Sequence, residues 1–263
     1  MSFSTIQFHP GPRVATIVLN RPPLNIINLE MLDELSAAWS DVEDLKAQVA
    51  VISGAGERAF SAGVEVADHA PGKIEAMLER FHRVILRIRK SDCVSIAAIH
   101  GHTLGGGAEL AMMCDLIVAA DDAQMGQPEI SLGCYPPVAV AYLPGAVGLH
   151  KASEMVLVGE PVDAVDAERL GIINKVMPRD HLRGSRCIRR QAPYQKLGSA
   201  CSRKEGAPRR RRPPFRKSTG SRARVVCPRP RQDRRYRGRH ERLSGETAPC
   251  LEEPLTPRSI ETM

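Results

Sequence analysis

The sequence predicts an α/β fold, and three observations carry that prediction. Short β-branched runs recur through the first two thirds of the chain, segments of helical apolar spacing lie between them, and glycine or proline punctuates the joins. Thr5–Phe8 and Val14–Leu19 are two such runs, separated by Pro10-Gly11-Pro12, and read as strands joined by a turn. Between 29 and 46 the period changes. Leu32, Leu35, Trp39, Val42 and Leu45 recur at helical spacing, and Asn28 stands where an N-cap belongs. Val49–Ile52 is a strand of the buried type, and Gly54–Gly63 a glycine-punctuated loop. Ile74, Met77, Leu78, Phe81, Ile85 and Ile88 mark a second amphipathic helix, and Val94–Ile99 is strand again. After the glycines at 105–107 the spacing predicts a short helix around Glu109, then a strand at Leu116–Ala119. Helices near 138–158 and over 164–170 and a final strand at Ile172–Val176 complete the pattern.

Past His181 this periodicity stops, and the charge changes with it. Residues 1–184 hold 15 Lys/Arg against 23 Asp/Glu, whereas residues 185–263 hold 22 against 7, so the net +7 of the 263-residue chain describes neither part. The folded part is therefore no candidate for nucleic-acid binding on charge grounds. The second segment is rich in Arg, Pro and Ser, with Arg209-Arg210-Arg211-Arg212-Pro213-Pro214 its extreme. Such a composition buries too little apolar surface to offset the entropy of ordering, so the reading is a domain over 1–184 and a disordered basic tail over 185–263. The abrupt onset of Arg-Pro richness inside a domain resembles translation in a shifted reading frame. Comparing the other two frames downstream of codon 184 tests this, and absence of helix-coding sequence there would defeat it.

The seven cysteines are odd in number and widely spaced, with no C-x-x-C pair, which argues against a structural zinc site or a disulfide framework. No stretch reaches the length of a membrane span, and the first twenty residues lack the basic start and continuous apolar run of a signal peptide. A cytoplasmic protein is the expectation.

Three segments hold the candidate chemistry: Ala59-Phe60-Ser61-Ala62-Gly63-Val64, Gly105-Gly106-Gly107-Ala108-Glu109-Leu110, and Gly126-Gln127-Pro128-Glu129. Taken singly, a glycine triplet is usually a tight turn, Glu109 a helix-start glutamate and Glu129 a solvated loop charge. Their order and spacing say more. The stretches NRPPLNIIN, AFSAGVEV, HGHTLGGGAELAMMCDLIVA, GQPEISLG and AERLGIINKV resemble the crotonase superfamily, the enoyl-CoA hydratases and isomerases, in order and spacing from about Thr5 to Leu182.

The resemblance implies a spiral of ββα turns with an acyl-CoA thioester as substrate, held across two main-chain loops, and neither metal nor redox cofactor. It implies an oxyanion hole made of the N–H groups of Val64 and Gly106, donors that stabilise an enolate-like oxygen without offering a competing proton source. By the same resemblance Glu109 orients and activates water and Glu129 delivers a proton to the α-carbon. Family members that only shift a double bond generally lack one of this pair, so hydration is favoured over isomerisation. Arg58 matches a position where the family places a basic residue near nucleotide phosphates, against the equal alternative of a solvated loop arginine. Ala62, Gly63, Glu65, Val66 and Gly105 are expected to line the substrate site, Asn28 is read first as a cap, and His69 is more often structural in such a loop than a substrate contact.

Two departures stand out. Where hydratases of the family commonly read like PGAGGTQRLPR, this chain has Cys134-Tyr135-Pro136-Pro137-Val138-Ala139-Val140-Ala141-Tyr142-Leu143-Pro144, which with VEVADH is closer to hydratases of cyclic dienoyl-CoA esters. The family also continues with apolar helical segments that close the acyl pocket and pack trimers or hexamers, and 185–263 offers none. Two other readings are an isomerase or thioester hydrolase on the same fold, and anion or nucleic-acid binding through the tail. That tail carries only Tyr194, Phe215 and Tyr236 for stacking, so specific nucleic-acid or membrane partners are not expected.

Overall fold

The computed structural model describes residues 3–183, and the disordered-tail and reading-frame expectations for 185–263 lie outside the described residues. Strand β1 (Ile6–His9) pairs antiparallel with β2 (Val14–Leu19), the hairpin that the Pro-Gly-Pro turn predicts. Helix α1 (Leu29–Asp44) follows, with the Asn28 side chain accepting from the Met31 N–H at 2.9 Å, a cap of the kind that contributes about 1 kcal/mol. Next come β3 (Val49–Gly54), β4 (Ala59–Ser61), a 3-10 turn at Val66–His69 and α2 (Ile74–Lys90). β5 (Val94–Ile99), β6 (His102–Leu104) and α3 (Gly106–Met113) repeat the unit. β7 (Leu116–Ala120), β8 (Gln124–Gly126), a 3-10 turn at Pro128–Leu132 and α4 (Pro137–Val147) repeat it again. The described chain ends with α5 (Leu149–Leu157), β9 (Val162–Asp163), α6 (Ala164–Arg169), β10 (Lys175–Met177) and α7 (Arg179–Arg183).

Each strand–strand–helix unit places its first strand in one sheet and its second in another, which is the expected spiral of ββα turns. The larger sheet runs β1-β2-β3-β5-β7-β10 and is parallel beyond the first pair. The smaller runs β4-β6-β8-β9, with β4, β6 and β8 parallel and β9 antiparallel. Strand alternation divides the core: Ala50 and Ile52 of β3 face the helices α1 and α2, while Val49 and Val51 join Ile96, Ala98, Val118 and Met177 on the opposite face. Trp39, Phe60, Phe81, Met31 and Leu32 fill the main core, each such side chain contributing about 1.5–3 kcal/mol by leaving water.

Three expectations need correction. The Gly54–Gly63 segment is not all loop, because β4 runs through it. The last strand lies at Lys175–Met177 rather than Ile172–Val176. Ile172 and Ile173 are buried, but their N–H groups return to the Ala167 carbonyl at the end of α6 (3.0 and 3.2 Å) rather than entering a ladder. The region near 138–158 is two helices, separated by Gly148 at φ 82°. Among the described residues no helix is long and apolar enough to cross a membrane.

Candidate active site

The three parallel strands of the smaller sheet all end on the same edge, and each is followed there by one of the three candidate segments. β4 runs out through Ala62 and Gly63 to Val64, β6 through Gly105 into α3, and β8 through Gln127 to Glu129. Carboxyl-terminal strand edges are where α/β sheets bind ligands, since loops there converge without crossing the sheet.

The first loop is fixed from the NRPPLN segment. Asn25 is fully buried at φ 51°, and its Nδ2 donates to the carbonyls of Ala55 and Ala59, each at 2.9 Å, while its Oδ1 accepts from the Arg21 N–H. Ala62 N–H donates to the Leu24 carbonyl, Ile27 N–H to Gly63 and Glu65 N–H to Ile27 (2.8–2.9 Å). Because Gly63 and Glu65 both face Ile27, the intervening Val64 N–H points to the other side of the loop and makes no hydrogen bond among the described residues. Arg21 grips the loop from beyond, donating to Glu65 at 2.8 Å and to the Ile26 carbonyl at 3.1 Å. Glu65, expected as a substrate contact, thus has its carboxylate engaged by Arg21.

The second loop turns at Gly105, whose φ of 51° and ψ of −127° suit only glycine. A β-carbon at this position would lie 2.8 Å from Oε1 of Glu129, so the main chain and that carboxylate are immediate neighbours. Gly106 opens α3 with an N–H that no helix carbonyl reaches, and a β-carbon on it would overlap the Val64 side chain and touch the Phe81 ring at 3.6 Å. The Val64 side chain, the Phe81 ring and the start of α3 therefore meet at Gly106.

Glu109 is one turn into α3 and only 4% exposed. Its Oε1 accepts from the N–H groups of Val138 (2.8 Å) and Ala139 (2.9 Å) in the first turn of α4. Burial pushes its carboxyl up to about 7, and the Glu129 charge adds to this, while the Ala139 and Val138 donors pull the other way. Glu129, in the 3-10 turn after β8, is not the solvated charge its isolated position suggests. Burial raises its pKa as well, against lowering by its own main-chain N–H and by the charge of His69. Both carboxyl pKa values are thus raised by burial, and that of Glu109 is raised further by the charge of Glu129.

Sequence reasoning missed three groups here. Gln127 is 1% exposed and, with its amide nitrogen turned inward, donates to both oxygens of Glu129 at 3.3 Å. A glutamine two residues before the glutamate was visible, but nothing in the pattern distinguished it from a loop residue. Arg21 and Asn25 were quoted within NRPPLN without a role. His69 donates from Nδ1 to the Glu65 carbonyl at 3.1 Å and lies within electrostatic reach of Glu129. Cys134 reaches back to the Glu129 carbonyl with its Sγ at 3.4 Å. Arg58 is exposed at the start of β4, the edge away from the two glutamates, and Val66 is 62% exposed. Ala62, Gly63 and Gly105 are on the carboxylate edge.

A sequence profile of the enoyl-CoA hydratase/isomerase family matches residues 11–196. A probable enoyl-CoA hydratase of Rhizobium meliloti is 39% identical over 189 residues, which cover 69% of this chain and 72% of that one. The probable enoyl-CoA hydratase echA8 of Mycobacterium tuberculosis is 37% identical over 185 residues, with the same coverage. Among solved structures, Pseudomonas aeruginosa DspI superposes with a TM-score of 0.71 at 29% identity, covering 80% of this chain and 90% of that one. An enoyl-CoA hydratase from Bacillus anthracis superposes with a TM-score of 0.69 at 27% identity, covering 77% and 83%.

Proposed function

This chain belongs to the enoyl-CoA hydratase/isomerase family, and from that premise we propose that it adds water across the double bond of an α,β-unsaturated acyl-CoA thioester. The observation that carries the reading is the buried Glu109, its pKa raised by burial and by the charge of the half-buried Glu129, beside the Gly105–Gly106 turn and the Val64 loop. In this reading the thioester oxygen is held by the N–H groups of Val64 and Gly106. Ionised Glu109 accepts a proton from water as the water oxygen bonds to the β-carbon, and the electron pair of the alkene moves onto the thioester as an enolate. Protonated Glu129 then gives its proton to the α-carbon, so the saturated 3-hydroxyacyl thioester leaves and the proton on Glu109 returns to the pair. The Val138 and Ala139 N–H donors favour the ionised Glu109 that the first step requires, against the burial that raises its pKa.

Gln127 keeps Glu129 turned toward the reacting carbon, and the chain needs no metal or redox group for these steps. The coenzyme A portion runs along the loop of Ala62, Gly63, Glu65 and Val66 and reaches Arg58 with its phosphates, the role that an exposed arginine at the strand start suits. The acyl class we favour is a cyclic dienoyl-CoA ester, supported by the Tyr135-Pro136-Pro137 entry into α4 and by His69 beside Glu129. Assembly as a homotrimer or hexamer is proposed on the exposed apolar side chains of Leu132, Tyr135, Leu149, Leu157 and Val158, which a further protein layer would cover.

The test is direct. The purified chain is supplied with linear 2-enoyl-CoA and cyclic dienoyl-CoA esters, and loss of conjugated absorbance is followed with the native protein, Glu129→Gln and Glu109→Gln. Unchanged turnover in both variants removes the two-carboxylate mechanism, and migration of the double bond without water uptake would move the chain to the isomerases.

A further inference from the structure

The start of α4 has an unusual donor inventory. Pro136 and Pro137 have no N–H, no side chain caps the helix, and the Val140 N–H is already committed to the Pro136 carbonyl at 3.0 Å. This leaves the N–H groups of Val138 and Ala139 as the free donors of the first turn, and both go to a single atom, Oε1 of Glu109, 29 and 30 residues earlier in the chain. Oε2 makes no hydrogen bond among the described residues.

We propose that the first turn of α4 is a positioning element for the reaction: the Val138 and Ala139 N–H groups fix Oε1 of Glu109, so that Oε2 alone faces the reacting water. The double proline is part of this arrangement. It starts the helix at a set φ while withholding the one further main-chain N–H that would compete for the carboxylate or the water. Water in this site is then held by carboxylates and not by the helix start. The positive end of an eleven-residue helix, pointed at Glu109, also favours the ionised form that acts as base.

Few other charges bear on Glu109. α3 carries no second charged residue, and α4, β4, β5 and β7, which pack against it, carry none. β6 contributes the exposed His102, and α2 contributes the half-buried His82, whose pKa burial lowers, beside Arg, Lys and Glu residues that are all outside the core. Glu129 is the charged group that acts on Glu109, and Glu129 itself answers to His69.

This inference rests on the reading of Glu109 as base, so its test includes a measurement that needs no turnover. The peptide bond before Ala139 is replaced in the full-length protein by an ester, which deletes the N–H and little else, and the same exchange at Val140 removes an ordinary helix bond of the same turn. The titration of Glu109 is read from the carboxyl infrared band lost on Glu109→Gln. The Ala139 ester is expected to move that titration upward by about one pH unit. It should also lower kcat about tenfold with little change in KM, and the Val140 ester should do neither. If the Ala139 ester does not fold, Val138→Pro removes the neighbouring N–H with a ring that a first-turn position accepts. An unmoved titration in the folded Ala139 ester or Val138→Pro protein, or an equal shift from the Val140 ester, overturns the proposal. A shifted titration in a protein that hydrates no thioester, native form included, upholds the positioning and defeats the proposed reaction instead.

Discussion

Replacing Glu109 by Gln should inactivate the protein and stabilise it at the same time, and the stabilisation should depend on pH in a defined way. Gln keeps an acceptor for the Val138 and Ala139 N–H groups and removes the charge. The folded-state pKa of Glu109 is about 7, against 4.5 for a carboxyl in water. At pH below 4.5 both folded and unfolded chains hold the proton, and the native protein and the variant should be equally stable. As pH rises from 4.5 to about 7 the unfolded chain releases its proton while the folded chain does not, so native stability falls by about 1.4 kcal/mol per unit and then levels off. Across the window the loss sums to about 3 kcal/mol, which the variant escapes. That corresponds to about 6–12 °C in Tm for a domain of this size. Trp39, the single tryptophan and 1% exposed, reports unfolding. Urea titrations at pH 5 and pH 8.5 should show the two proteins nearly alike at the first and well separated at the second, while hydration by the variant falls about 10²- to 10⁴-fold. Equal midpoints at pH 8.5, or the same gain at both pH values, would refute the claim that Glu109 is held in a water-poor site.

Three further outcomes follow from the same geometry. Glu129→Gln should lower kcat about 10²-fold or more and shift the Glu109 titration downward, because the neighbouring negative charge that raises it is gone; infrared titration of the variant checks the direction. Gly106→Ala should place a methyl group into the Val64 side chain and the Phe81 ring, spread the oxyanion loops and cost about 3–4 kcal/mol of barrier, read as kcat/KM with an enoyl-CoA ester. Asn25→Ala should destabilise the fold by about 2–3 kcal/mol in urea, since it removes the donor to the buried Ala59 carbonyl and the part-buried Ala55 carbonyl and forces a residue other than Gly, Asn or Asp to positive φ.

What could be read from residues alone was whatever announces itself by period or by a local cap. Val14–Leu19 and Val94–Ile99 match the observed strands in both bounds, and Asn28 caps α1 as its type and place suggest. The smaller sheet escaped notice because β4, β6 and β8 are three residues long and β9 two, too short to show alternation, and glycines beside β4 and β6 read as turns. The order of the motifs singled out Glu109, Glu129, Val64 and Gly106 as candidates, on segments that the structure brings to neighbouring positions. The grip of α4 on Glu109 was not, because it is made by main-chain groups that carry no sequence signature. Glu65 shows the opposite case, a residue visible in a motif whose partner, Arg21, is 44 residues away.

The neighbouring positions of β4, β6 and β8 fix a direction as well as a place. Adjacent strands stand about 4.8 Å apart, so whatever binds along their shared rim meets the Val64 loop, then Gly106, then Glu129, in that sequence and at nearly regular steps. In the proposed reaction, a thioester oxygen held between the first two would bring the α-carbon toward the third. The order in which such a substrate would meet its three partners is thus set by the stacking of three very short strands. A change of chemistry on this scaffold asks only for a different side chain at the third stop.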